Sequence, residues 1–248
     1  MRALLVPLLL AASHGAGACR APAPGAEPPA PWLEPGDVSL ALRAGLFTLY
    51  GIDGDFTVES PSEGTLTEDD SGDLVGRFGF ALRGEVALRE NVQLFAGADY
   101  RMYDIEHLNP IEELEVSIET VHSLQYMLGA RYLFPTFEAA PSWRPYGELS
   151  VAYLPSVDVG FEVDLSDFGS SNLEIDTEGE GYWVGGLTAG VLYRLSEHLT
   201  AELGALYEIP LSTLDTDLSF SIGSSTVPMF GELRPQGLIG FCGLSVAL

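Results

Sequence analysis

From Val38 to the end of the chain, apolar and polar residues alternate with a period of two, in runs broken by turn residues at uneven intervals. That period marks strands whose two faces meet different surroundings. Eight runs stand out, at 38–50, 74–88, 92–103, 118–134, 145–155, 181–195, 199–209 and 237–248. Three connections are tight, at 89–91, 135–144 and 196–198, and four are long, at 51–73, 104–117, 156–180 and 210–236. Short and long alternate without a break. The pattern predicts an all-β fold, an eight-stranded antiparallel up-and-down transmembrane β-barrel with four long loops at one end. Barrels of the outer-membrane type have this even strand number and this asymmetry between their two ends.

The faces themselves say which side is in. One carries Leu40, Leu42, Leu46, Phe78, Phe80, Leu82, Val86, Leu94, Leu124, Leu128, Leu149, Val151, Leu187, Val191 and Leu203. The other carries Arg43, Arg77, Arg83, Glu85, Gln93, Asp99, Arg101, Gln125, Arg131, Glu148, Arg194 and Glu202, interleaved with glycine and alanine. An eight-stranded barrel has an interior just wide enough for side chains to fill. Arginines paired with carboxylates suit such a plug, because the planar guanidinium stays charged and grips a carboxylate with two bonds. Arg43, Arg77, Arg83, Glu85, Asp99, Arg101, Arg131, Glu148, Arg194 and Glu202 are therefore expected to form a polar network in the lumen.

Aromatic residues on the apolar face cluster near strand ends, with Tyr50, Phe78, Tyr100, Tyr153, Trp183 and Tyr207 towards the long connections and Tyr132, Phe134 and Tyr193 near the turns. Trp183 and Tyr193 are ten residues apart on one strand, roughly 25 Å of height in a tilted strand and close to the apolar band of membrane barrels. Tyrosine and tryptophan favour that interfacial depth. A soluble barrel with the apolar face inward is the competing arrangement. Its outer wall would be mostly glycine, alanine and a few arginines, which makes a poor solvated surface.

Composition narrows the functions. The 248 residues include 36 acidic and 11 basic side chains, all of the latter arginine, for a net charge of −25. Nucleic acid would be repelled, and a polybasic attachment to anionic lipid is absent from the pattern. No run in the body of the chain reaches the ~18 apolar residues of a membrane helix. Residues 1–18 read as a signal peptide, with Arg2, an apolar stretch from Ala3 to Ala12, and Ala16-Gly17-Ala18 as a cleavage pattern. Cleavage after Ala18 leaves Cys19 first, the position acylated in lipoproteins; ordinary cleavage with an incidental cysteine is the alternative. Residues 19–37 form a linker rich in proline and alanine, and 38–248 the barrel domain. Cys242 lies inside the last strand, so the two cysteines make no disulfide framework.

The long connections hold most of the negative charge. Glu68, Asp69, Asp70 and Asp73 are the best candidates for a divalent cation, since Ca²⁺ and Mg²⁺ take carboxylate oxygens and could bridge the loops to anionic glycolipid. A solvated acidic rim is the plainer alternative. Strand parity persists into 157–165, so some strands are expected to project beyond the bilayer as a sheet that a partner could meet. No strong catalytic signature appears: there is no P-loop, no G-x-S-x-G and no H-E-x-x-H. His122-Ser123 suggests a hydrolase pair, but adjacent strand residues point to opposite faces. An enzyme is not expected.

The hairpin Arg83-Gly-Glu-Val-Ala-Leu-Arg-Glu-Asn-Val-Gln-Leu-Phe-Ala-Gly-Ala-Asp-Tyr100 resembles those of the small outer-membrane β-barrel superfamily, which includes the OmpA membrane domain, OmpX, OmpW and the opacity-type surface proteins. The resemblance covers residues 38–248 and is one of pattern. Barrels of this kind usually end in an aromatic residue, whereas this chain ends Val246-Ala247-Leu248, a departure that bears on insertion. The resemblance implies a place in the outer membrane of a Gram-negative-type bacterium, contact with its lipid, and envelope or extracellular partners reached through the long loops. It implies roles in envelope integrity, surface adhesion or passage of small solutes, and it carries no fixed catalytic residues. A structural or surface-interaction barrel is the first expectation. Transport of small or hydrophobic solutes and a soluble ligand-binding barrel are the alternatives.

Overall fold

The structure is a computed structural model, which describes the backbone of residues 32–60, 64–111, 114–136, 140–163, 173–222 and 225–248, and side chains chiefly in the barrel wall and at its turn end. The signal peptide and Cys19 lie outside the described residues. Among the described residues nine strands follow in order: β1 (Val38–Ser60), β2 (Gly64–Arg89), β3 (Val92–Ile111), β4 (Leu114–Leu133), β5 (Trp143–Val163), β6 (Leu173–Arg194), β7 (Leu199–Pro210), β8 (Leu214–Ile222) and β9 (Ser225–Ala247). Each strand from β1 to β7 pairs antiparallel with the next, β7 pairs with β9, and β9 returns to β1 from Ser39↔Ala247 to Val58↔Met229. The result is a closed eight-stranded up-and-down barrel. Closure leaves no unpaired edge in the wall, which a bilayer demands because lipid offers no partner to backbone groups.

The ninth strand does not enlarge the barrel. β8 pairs with the first part of β9, from Ile222↔Ser225 to Leu214↔Leu233, and continues the path of β7 after an interruption at 211–213. There Leu211 and Ser212 donate their amides to the Trp183 carbonyl at 2.9 and 3.3 Å, and the Trp183 amide donates to Ser212 Oγ at 2.9 Å. Pro210, with no amide proton, ends the regular ladder. The wall stays satisfied through the break.

The four long connections prove to be mostly strand. A tilted strand of about 9–11 residues crosses a bilayer, yet β1 to β6 run from 20 to 26 residues. Residues 51–60 pair with 64–73 in one unbroken register, and 156–163 pair with 173–180 in another. The boundaries expected at 50, 74, 155 and 181 are corrected accordingly, and the last strand starts at Ser225 rather than at 237. Acidic residues and glycine have low intrinsic strand preference. A ladder already aligned by the membrane wall overrides that preference residue by residue.

Burial in the wall is inverted relative to a soluble protein. Arg83 is 1% exposed and Glu85 3%, whereas Leu128 is 61% and Leu149 65%. Leu40, Leu42, Phe78, Phe80, Leu82, Leu94, Leu124, Leu187 and Leu203 also face out. Aromatic rings border this belt at both ends. Tyr153 and Trp183 pack at 4.8 Å on the long-strand side; Trp143 with Tyr193 at 4.6 Å and Tyr132 with Phe134 at 5.2 Å lie at the turn side. An apolar belt bounded by such rings is a lipid-facing surface. This is a transmembrane β-barrel of the outer-membrane type. Leu128→Arg should lower stability in lipid vesicles by about 2–4 kcal/mol, the cost of a charge on the lipid face near mid-depth. An unchanged urea midpoint would mean that this side does not meet lipid.

Candidate functional site

Inside the barrel the inward residues of five strands converge on one ionic layer nearer the turns. Arg43 comes from β1, Arg83 and Glu85 from β2, Arg131 from β4, Glu148 from β5 and Glu202 from β7. Arg43 donates from Nε and Nη2 to Glu202 at 2.9 and 2.6 Å and from Nη2 to Glu148 at 2.7 Å. Arg83 bridges Glu85 at 2.9 Å and Glu148 at 2.9 and 3.1 Å. Arg131 donates to Glu148 at 2.6 Å, Glu202 at 2.8 Å and Gln93 at 3.2 Å. Glu148 Oε1 thus accepts from all three guanidiniums. Three positive and three negative charges meet and balance.

Each of these arginines also lies on a ring. The guanidinium carbons sit 4.3 Å from Phe241 for Arg43, 3.7 Å from Phe95 for Arg83 and 4.6 Å from Tyr146 for Arg131. Cation–π attraction is strongest where water is excluded, as it is here. The rings need room, and glycines on neighbouring strands supply it. A Cβ at Gly129 would collide with Phe95, one at Gly190 with Tyr146, and one at Gly204 with Phe241 and Tyr146. The glycine–alanine spacing of the inward face is the imprint of this three-tier stack.

A second, smaller layer lies nearer the long-strand end. Arg101 grips Glu208 with two bonds at 2.6 and 2.8 Å and donates from Nε to Asp99 at 2.7 Å. Gln125 donates to Asp99 at 3.0 Å and to Glu208 at 3.4 Å. Glu208 stood outside the residues picked from the sequence, although it shares parity with Glu202 six positions earlier. Between the layers is a cavity of about 60 Å³, with Ala81, Ala152, Val184, Leu206 and Ile239 among its lining. It is large enough for a few waters, not for a wide channel.

Two expected lumen residues stand apart from this description. Arg194 lies at the turn-end mouth, its guanidinium 4.5 Å from the Trp32 ring, not among the residues of the ionic layers. Arg77 is skipped by the β2–β3 register, which steps from Gly76↔Tyr103 to Phe78↔Met102, and its side chain lies outside those described. The cation candidates Glu68, Asp69, Asp70 and Asp73 fall on β2 above the membrane, where their side chains also lie outside those described. Backbone register adds what spacing did not reveal. Asp69 stands opposite Asp55, Asp55 opposite Glu232, and Glu232 opposite Asp215, a row of acids across four adjacent strands. Directly opposed like charges weaken a sheet unless something neutralises them.

The hydrolase pair does not form. His122 is exposed and Ser123 buried; the His122 Nδ1 is 2.7 Å from the Tyr100 hydroxyl on the outer face. Cys242 is a free thiol paired in register with Ala44 and Leu203.

No family model and no curated protein matches the chain. Solved structures do. The outer membrane protein AlkL, determined in lipid bilayers, is 16% identical with a TM-score of 0.48, over 94% of this chain and 97% of its own. OprG from Pseudomonas aeruginosa is 16% identical with a TM-score of 0.45, over 86% of this chain and 97% of its own. The Escherichia coli outer membrane protein W is 17% identical with a TM-score of 0.43, over 87% and 99%.

The energetics of the ionic layer are testable by removing one carboxylate. Glu148→Ala leaves three buried guanidiniums facing two carboxylates, and breaking a buried pair costs about 3–5 kcal/mol. Glu232→Ala removes an acid whose 3.6 Å pair with Arg234 is about half exposed on both sides, and should change stability by no more than about 1 kcal/mol. Equal urea midpoints for the two variants would mean that the lumen charges do not hold the barrel together.

Proposed function

We propose that the chain is a non-enzymatic outer-membrane barrel whose working surface is the acidic sheet that its strands raise beyond the bilayer. The observation that carries this is strand length: β1 and β2 pair without interruption through 51–60 and 64–73, well past the aromatic border of the lipid belt. An ordered sheet holds its side chains in fixed register, which a floppy loop cannot. The lumen, filled by ionic layers, supports a structural wall rather than an open pore. The soluble ligand-binding alternative does not fit a wall whose outward side chains are leucine and phenylalanine.

The partners that suit this surface are cationic. Net charge excludes nucleic acid, and outer-membrane lipid is the lateral neighbour. Ca²⁺ or Mg²⁺ is the simplest occupant; of the candidates Glu68, Asp69, Asp70 and Asp73, strand parity groups Asp69 and Asp73 with the opposed acids Asp55, Glu232 and Asp215, and sets Glu68 and Asp70 on the other face. A basic extracellular or envelope protein is another.

A second reading, passage of small or hydrophobic solutes, has one observation in its favour. The β1–β2 pairing is interrupted between Ala44↔Phe80 and Tyr50↔Leu74, with the register unchanged on either side, beside Gly45 and Gly79, which line the central cavity. Influx of a small apolar solute into vesicles carrying the protein, measured against protein-free vesicles, decides it; equal rates remove it.

Replacing residues 53–71 by Asn-Gly, a dipeptide that closes a two-residue hairpin, tests the first reading. The shortened chain should keep its heat-dependent gel mobility while its affinity for Ca²⁺, read by calorimetry in vesicles, falls tenfold or about 1.4 kcal/mol. Unchanged binding of both Ca²⁺ and a polyarginine-coated surface would remove the sheet from the function.

A further inference from the structure

The end of the proline-rich linker is not featureless. Trp32 and Leu33 pack against Leu133, Tyr146 and Leu192, the apolar cluster that closes the lumen at the turn end. Arg194 covers the Trp32 ring at 4.5 Å, and Arg144 approaches it at 6.0 Å. The chain then reverses. The Asp37 amide donates to the Glu34 carbonyl at 3.0 Å, the Glu34 amide donates to the Asp37 carboxylate at 2.6 Å, and Gly36 takes a φ of +97°. Two backbone bonds then tie this turn to β2: Gly36 amide to Ala87 carbonyl and Ala87 amide to Asp37 carbonyl, both 2.8 Å.

Three features together make this segment more than a loose tail. It fills the mouth from outside the wall, whereas the ionic layers are built from the wall's own strands. Tyr146, whose ring carries Arg131 on its inner side, is the floor on which Trp32 and Leu33 rest, so the cap lies directly below the ionic layer. Its hinge is a glycine at a φ that other residues adopt only with strain. We propose that residues 32–37 form a hinged strap that seals the turn-end mouth of the barrel, and that its release exposes the lower ionic layer to water. The latch is the Trp32 ring between the apolar cluster and Arg194. The hinge is Gly36. Whatever holds or pulls the linker ahead of Trp32 sets the state of the mouth, because a swing of residues 32–35 about Gly36 breaks contacts of the strap and leaves the Ala87–Asp37 bond and the strand pairing in place.

The chain contains three tryptophans, Trp32, Trp143 and Trp183, so full-length protein carrying Trp143→Phe and Trp183→Phe reports on the strap alone. In vesicles, Trp32 emission should be blue-shifted and quenched by iodide several-fold more slowly than free N-acetyltryptophanamide. Gly36→Val should raise the quenching rate several-fold. In the otherwise natural chain, Gly36→Val and Trp32→Ala should each speed exchange of the Arg131 Nε proton with water several-fold, read by NMR in lipid nanodiscs, while the heat-dependent gel mobility is retained. Quenching of Trp32 at the rate of the free compound would overturn the docked strap. Folded Trp32→Ala protein whose Arg131 Nε proton exchanges no faster than in the natural chain would overturn the seal. Should Gly36→Val not fold, the Trp32→Ala exchange rate alone still decides.

Discussion

Charges can be buried in the bore of an eight-stranded barrel only if they cancel one another at contact distance, because burial strips them of most of their hydration. The desolvation cost of each ion is several kcal/mol and is offset only by good geometry and complete hydrogen bonding. Glu148, accepting from three guanidiniums, meets that demand by sitting where β1, β2 and β4 all aim an arginine. The rest of the interior follows. Guanidiniums need flat apolar surfaces on the side that makes no hydrogen bonds, so Phe95, Phe241 and Tyr146 lie beneath them. Rings inside a bore this narrow need neighbouring positions without side chains, hence Gly129, Gly190 and Gly204. Ion, ring and glycine form one mechanical unit spread over the whole circumference.

That unit also fixes topology. The lower layer joins residues up to 159 positions apart, as in Arg43 and Glu202, so it can assemble only when the first and last strands have closed on each other. Buried ion pairs are weak as a source of net stability. They are strong as a specification of register, because a one-residue slip would turn every charge of a strand into lipid and every leucine into the bore. The uncharged lipid belt could tolerate many small substitutions; the lumen could tolerate few.

Inside and outside were legible in the sequence because alternation is a geometric fact about strands, independent of depth or partner. It put Arg43, Arg83, Glu85, Asp99, Arg101, Arg131, Glu148 and Glu202 on one face, and the structure turns that face inward. Four things escaped, in whole or in part. Glu208 is a lone charge at the end of its run, although parity places it with Glu202. Phe95, Phe241 and Tyr146 share parity with the charged set, but hydrophobicity argues that aromatic rings belong to lipid; only the guanidinium stacking makes sense of them inside. The strand extension at 157–163 was legible in parity; the others were hidden by acidic residues and glycine, whose local preference opposes the ladder that long-range pairing imposes. Trp32 and Leu33 were obscured by the prolines and alanines around them, since composition averages away a single anchoring ring.

The two ends of the barrel answer different demands with the same backbone. At the turn end, connections are short, arginines lie near the mouth, and Trp32 with Leu33 covers an apolar cluster. At the other end the wall climbs on as a sheet in which acids oppose acids across strands. A sheet that merely needed to stay soluble would gain nothing from stacking Asp69, Asp55, Glu232 and Asp215 in one register, because scattering the same charges would solvate them with less repulsion. Repulsion held in place by a closed barrel below gives the sheet a negative field of fixed shape, which is what the proposed role in meeting cationic partners requires. Rigidity is what separates this from an acidic tail. The ionic layers lock the wall, the wall sets the register, and the register concentrates the charge. Function and stability therefore draw on opposite ends of the same strands.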